Sequence, residues 1–360
     1  MGRTYHWAMW PSRRLLLAGV WLGIVVSSLI LAACERARAN LAPTRPDGPP
    51  GQVAPLAARE PESGPAATPI RARPLDAGAE SGTSPGPRLA AQELSWRFEK
   101  GPFGPSDVLI SVPARLPGER FPVLVAFHGR GESQKGSRRG ARGWFEDYEL
   151  GRAIARLGQP PLSKGDFQGY VSDARLEQLN ADLHQRPYAG LIVVCPFLPD
   201  VLKGAAAFVE MEPLGRFIVE ELLPRVYDKT PALGTSRSTG VDGVSLGGRA
   251  ALLVGLGRPL AFGSVGAIQA ALDAKEIARF VELALRARAQ NPQLALRLLT
   301  SDEDYFLAQN VALSAALTER ALPHQLMRAL GTHSYRFNRG PGGLEMLLFH
   351  DRALRGLPPL

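Results

Sequence analysis

Cysteine is almost missing from this chain, with two in 360 residues. Cys34 and Cys195 are too few for the disulfide framework that staples small exported domains. Histidine is nearly as scarce. The six present are scattered, so no metal site and no cofactor is expected. Lysine is rare where arginine is common, and with abundant Ala, Gly and Pro this points to a GC-rich genome. No nucleic-acid-binding motif occurs, and no nucleic-acid partner is expected. The net charge of +8 divides evenly: ten Lys/Arg against six Asp/Glu in residues 1–92 leave about +4 for the much larger remainder.

Globular character is also missing from the first ninety or so residues. Met1 to Arg14 is a basic start carrying Arg3, Arg13 and Arg14, Leu15 to Ala33 is apolar, and Leu31-Ala32-Ala33-Cys34 follows. A basic segment, an apolar run and small residues before a cut make a secretory signal over 1–33. The cysteine at the cut resembles the lipobox of bacterial lipoproteins, in which Cys34 becomes the acylated first residue of the mature protein, a membrane partner by way of its lipid. The alternative is an uncleaved anchor, since the apolar run is just long enough to span a bilayer. Ser12-Arg13-Arg14-Leu15-Leu16 also has a faint likeness to a twin-arginine signal. Glu35 in place of aspartate resembles the outer-membrane sorting of Gram-negative lipoproteins. Residues 34–91 are rich in Pro, Ala, Gly and Ser without apolar period, the composition of an extended tether. A catalytic domain is expected over 92–360.

The most informative stretch in that domain is Gly243-Val244-Ser245-Leu246-Gly247-Gly248. A serine between a short strand and a helix, flanked two residues away by glycine, can take the strained turn that lifts its hydroxyl above a sheet. Upstream, the apolar run Phe121 to Phe127 has the look of a buried parallel strand and leads into His128-Gly129-Arg130-Gly131. A loop of this kind brings backbone N–H groups against a substrate oxygen, so Gly129 and Arg130, with Leu246 after the serine, are the candidate oxyanion donors. Downstream, the strand candidate 294–301 ends in Asp302-Glu303-Asp304, and 325–330 ends in Gly331-Thr332-His333. Serine, acid and histidine thus follow in that order, each just past a strand's carboxyl end, where open parallel sheets place their chemistry.

On these residues the region from about 92 to 360 resembles the α/β-hydrolase superfamily, and within it the serine esterases named putative esterases and feruloyl esterases. The resemblance implies an α/β fold: a doubly wound, mainly parallel sheet with an insertion after the third strand. It implies hydrolysis through an acyl-enzyme, on a small-molecule or polymer-borne ester. Its Gly-x-x-Asp segment aligns with Ser301 to Asp304, which favours Asp304 as the acid although Ser301 replaces the glycine. Asp302 is the alternative and Asp273 a third.

Position selects His333 as the base. His324 begins a strand at the wrong end of the sheet, His350 sits within a helix, His128 precedes the serine, and His184 reads as a surface residue. Lys135, Arg138, Arg139 and Arg142 are either a solvated face or a lure for anionic groups at the site mouth. Trp144, Phe145 and Tyr148 either line a substrate pocket or form the insertion's own core, and Cys195 reads as a small core hydrophobe. Further elements expected are strands at 96–98, 107–112, 191–195 and 262–268, and helices at 212–226, from about 249, and at 275–289, 308–321 and 342–355. The leading function is a lipid-anchored serine hydrolase of carboxylic esters. A peptidase or amidase would use the same machinery, and an inactive surface-binding module is the reading from another class.

Overall fold

The computed structural model describes residues 89–200 and 207–358. The signal segment, Cys34 and most of the tether lie outside them. Among the described residues no helix is long and apolar enough to cross a membrane.

Eight strands form one sheet in the order β1-β2-β4-β3-β5-β6-β7-β8. The first two, β1 (Gln92–Gly101) and β2 (Gly104–Val112), make an antiparallel hairpin much longer than the residue pattern suggests. The excess lies at the edge: β1 alternates exposed and half-buried residues, a weak signal for a strand that covers one face only. β2 also runs antiparallel to β4 (Ile192–Pro196), and all remaining pairings are parallel.

The central strands β3 (Val123–Phe127), β4, β5 (Thr239–Gly243) and β6 (Ser264–Ile268) are buried at every position. That explains their unbroken apolar runs: in a sheet covered on both faces, alternate side chains enter two different cores. Val123, Val125 and Phe127 join one core with β6 Val265; Leu124 and Ala126 join the other. The first core is covered by α3 (Ala207–Phe217), α5 (Leu246–Gly257), α6 (Ile277–Gln290) and α7 (Leu307–Glu319). Between α3 and α5 the chain continues through α4 (Leu223–Lys229).

The second core is capped by α8 (Gly343–Leu354) and by the segment between β3 and β4, which carries α1 (Leu150–Leu157) and α2 (Asp173–Gln185). Trp144 and Tyr148 are fully buried there, edge to face with centroids 5.0 Å apart, so they are core and not pocket lining. Cys195 is buried beside them, and burial raises its thiol pKa, which keeps it protonated.

A charged knot lies under the centre of the sheet. Asp242 of β5, completely buried, accepts hydrogen bonds from Arg297 Nη2 at 2.9 Å, His350 Nε2 at 3.0 Å and the Gly243 N–H at 2.7 Å. Arg297 of β7 (Ala295–Glu303) also donates to the Glu345 carbonyl of α8 at 2.7 Å. Burial pushes the His350 imidazole below its ordinary value, so it is neutral, donating from Nε2 and accepting at Nδ1 from Ser264 Oγ at 2.8 Å. Removing one partner of a buried pair strands the other's charge. Arg297→Met is therefore expected to cost about 3–5 kcal/mol, seen as a lower urea midpoint with the slope unchanged.

Candidate active site

The chain's turn from β5 into α5 sets the serine. Ser245 has φ 59° and ψ −115°, a conformation sparsely populated by non-glycine residues. The strain is held from both sides: the Ser245 N–H donates to Ile268 O at 2.8 Å, and its carbonyl accepts from Ala271 N at 3.0 Å. The helix starts at Leu246 and not near Arg249 as the residue pattern suggests, because Gly247 and Gly248 are accommodated in its tightly packed first turn. The Leu246 N–H is the first of α5 and has no helical carbonyl four residues back to satisfy it.

The acid and the histidine meet at the neighbouring strand ends. His333 directly follows β8 (Gln325–Thr332), and its Nδ1 lies 2.7 Å from Asp304 Oδ1. An ionised carboxylate can only accept, so Nδ1 carries the proton and Nε2 is left with its lone pair free to accept one. Asp304 is buried and further oriented by Thr300 Oγ1 at 2.7 Å and the Phe306 N–H at 3.1 Å. Tyr305 stacks on the imidazole with centroids 5.1 Å apart, and Phe306 meets it edge-on at 5.5 Å. Among the described residues the Ser245 hydroxyl makes no hydrogen bond, as is common in substrate-free sites.

The other candidates are occupied elsewhere. Asp302 Oδ1 accepts from the Gly331 N–H at 2.7 Å, and Asp273 caps the turn before α6 through the Lys275 N–H at 3.0 Å. His128 is buried in its loop, with Nδ1 at 2.9 Å from Gly129 O and Nε2 accepting from the Leu198 N–H at 3.0 Å. His324 pairs with Ser314 Oγ at 2.7 Å, and His184 is exposed. Ser264, His350 and Asp242 repeat the same residue types in the core, where no substrate can reach them.

One expected oxyanion donor needs correcting. The Gly129 N–H donates to Tyr148 Oη at 3.1 Å and is unavailable, because Tyr148 is driven under this loop by the second core. Arg130, the first residue of a one-turn helix, supplies the next N–H. Two of the four basic residues of this loop are paired: Lys135 Nζ donates to Asp147 Oδ1 at 2.6 Å, and Arg142 bridges Glu93 at 2.8 Å and also Glu146.

Gln269, just past β6, was not singled out by any motif. It is buried with φ 45°, and its Nε2 donates to Ser301 Oγ at 2.6 Å and Thr332 O at 3.2 Å, bracing the two strand ends that carry acid and base. A groove of about 390 Å³ lined by Leu246, Arg249, Leu272, Phe306 and Gln309 opens beside these residues. A roomier cavity of about 820 Å³ lies near Ser236, Gly263 and Asn291, at the strands' amino ends, away from the serine.

Residues 202–340, which span the serine, the acid and the histidine, match the family model "Esterase: Putative esterase". The chain is a carboxylic ester hydrolase of the α/β-hydrolase fold. Among solved structures, this esterase is similar to a ferulic acid esterase at 17% identity and TM-score 0.55, covering 73% of this chain and 98% of that one. It is also similar to an S-formylglutathione hydrolase from Staphylococcus aureus at 12% identity and TM-score 0.52, covering 72% and 99%. No curated protein matches the esterase in sequence. The two aspartates of its acidic turn differ in partner, and mutation separates them. Asp304→Asn is expected to lower kcat on the order of 10⁴-fold, as loss of an orienting carboxylate does in a serine triad. Asp302→Asn should cost far less; a kcat series on a short-chain aryl ester ranks the two.

Proposed function

We propose that the esterase works through a Ser245–His333–Asp304 triad and an acyl-enzyme. The observation that carries this reading is the 2.7 Å contact of His333 Nδ1 with Asp304 Oδ1, which leaves Nε2 as a base on the strand-end side that bears the strained serine. Nε2 takes the Ser245 proton as Oγ bonds to the ester carbonyl carbon. The carbonyl electrons move to oxygen, and the oxyanion is held by the Leu246 and Arg130 N–H groups. Collapse breaks the bond to the alcohol oxygen, which receives the proton from His333. Water then repeats the sequence on the acyl-serine and releases the acid. Asp304 keeps the imidazole in its tautomer and stabilises the imidazolium. The groove at Leu246 and Phe306 would take one side of the ester.

Ser245→Ala is the direct test. Turnover of a short-chain aryl ester should vanish and fluorophosphonate labelling with it, while the thermal midpoint stays near wild type. Activity surviving at more than a few per cent would remove Ser245 from its role.

The same proposal includes a lipid anchor at Cys34, resting on Leu31-Ala32-Ala33-Cys34 and the basic and apolar segments before it. The acylated cysteine would hold the enzyme at a bacterial membrane, the outer one favoured by Glu35, with the catalytic domain exported. Mass spectrometry of the membrane fraction should find a mature chain that begins at an acylated Cys34. Light proteolysis between residues 40 and 90 should then release a soluble, fully active domain. An unmodified Cys34 inside an intact apolar segment would instead make that segment a spanning anchor.

A further inference from the structure

A buried carboxylate outside the triad joins the two loops on which the proposed mechanism depends. Glu132 lies three residues past Gly129 and its side chain is 0% exposed. Tyr148 Oη donates to its Oε2, and Tyr335 Oη donates to its Oε1 at 2.5 Å. Lys135 Nζ stands 3.6 Å from Oε1 and 5.7 Å from the centre of the Tyr335 ring. Tyr148 is the same residue that accepts the Gly129 N–H. Tyr335 is two residues beyond His333, at the first position of a one-turn helix capped by Ser334.

A single chain of hydrogen bonds therefore runs from the Gly129 peptide through Tyr148 to Glu132 and on to Tyr335. It crosses 203 residues of sequence at its last step. Space for it depends on missing side chains. A Cβ on Gly131 would lie 2.6 Å from Tyr335 Oη, and one on Gly129 would lie 3.0 Å from Tyr148 Oη.

We propose that Glu132 is a positioning residue, a latch that holds the loop bearing the Arg130 N–H in register with the segment bearing His333. This rests on the triad reading above. A carboxylate sealed from water is costly unless donors meet its oxygens, and here each oxygen has a phenolic hydroxyl. Burial, and the charge of Glu132 itself, push both tyrosine hydroxyls upward, so they stay protonated and keep donating. An apolar contact of the same volume would stabilise the fold as well or better. What the carboxylate adds is direction, since its two oxygens tie the Tyr148 and Tyr335 hydroxyls to one rigid group. Oxyanion donors act on the transition state, so a loosened latch lowers kcat and leaves KM largely alone.

The test uses the full-length protein. Tyr335→Phe removes the hydroxyl that reaches Glu132 and keeps the half-exposed ring. On p-nitrophenyl acetate kcat should fall about tenfold or more, with KM within about twofold and fluorophosphonate labelling of Ser245 slowed in proportion. Glu132→Gln should lower kcat at least as far, and the double variant no further than Glu132→Gln alone, because both act through one contact. Tyr227→Phe deletes a comparable hydroxyl bonded to Thr239 Oγ1 at 2.8 Å, far from the site, and should keep kcat within about twofold. The latch is overturned, with the triad standing, if Tyr335→Phe keeps wild-type kcat, if it raises KM alone, or if the two losses add. A wild-type protein that neither labels nor hydrolyses ester overturns the triad and the latch together.

Discussion

Everything at this site follows from one close approach, the backbone of β3's end against the first turn of α5. A Cβ on Gly247 would sit 2.5 Å from the His128 carbonyl oxygen, and one on Gly243 would sit 2.8 Å from that of Phe127. Real side chains cannot occupy those positions, so any substitution must move the loop away from the helix. The contact brings together segments over a hundred residues apart in sequence, the end of β3 that leads to Arg130 and the first turn of α5 that begins at Leu246. It is sealed by the Val244 N–H donating to Phe127 O at 3.2 Å, which continues the β3–β5 pairing into the turn itself. Strain at Ser245, of the order of 1–3 kcal/mol, is sustained because the surrounding sheet and helix leave the turn no alternative.

The molecule uses the same three residue types twice, and the contrast shows how environment decides their role. Ser264, His350 and Asp242 lie wholly in the core, where Arg297 balances the carboxylate and the imidazole stays neutral. Ser245, His333 and Asp304 lie at the strands' carboxyl ends, where the imidazole is partly exposed and no cation neutralises its carboxylate partner by a hydrogen bond. Charging His350 would put a second positive group beside Arg297 in a dry interior. The first set therefore serves as a brace for β5, β6, β7 and α8, and the second stands at the strand ends where the proposed chemistry needs it.

Residue patterns reveal local features and lose sight of distant ones. The buried strands, the serine turn and the alternation of strands with helices were legible because each rests on neighbours in sequence: apolar runs of length five, small residues at fixed offsets, polar residues past strand ends. The long β1–β2 hairpin was only half visible, since an edge strand with one covered face carries a weak apolar signal. Gln269 and Glu132 were invisible as site residues. Glu132 stands in the Gly-Arg-Gly-Glu run that drew attention to the loop, yet its partners Tyr148 and Tyr335 are chosen by tertiary packing and share no spacing with it. The same packing removed Gly129 from the oxyanion donors, through a tyrosine that pattern alone could assign either to a pocket or to a core.

Two of the three carboxylates in the acidic turn, Asp302 and Asp304, take different partners. Between the Ser301–Ala329 and Glu303–Thr332 pairs the β7–β8 register slips by one residue, and the extra residue lies on β8, in the segment Leu330–Gly331. Asp302 turns to the Gly331 N–H, where the backbone has φ 119° and a Cβ would meet the Tyr170 ring at 2.8 Å. Asp304 turns inward to His333. One carboxylate thus fixes the bend that precedes the histidine, and the other fixes the histidine itself. Tyr305, 77% exposed, covers one face of the imidazole. The imidazole is thus met by Asp304 at Nδ1, by the Tyr305 ring on one face and by the Phe306 ring edge-on. Those three partners are consecutive residues, so the single turn after β7 orients the imidazole, which is what the proposed triad asks of it.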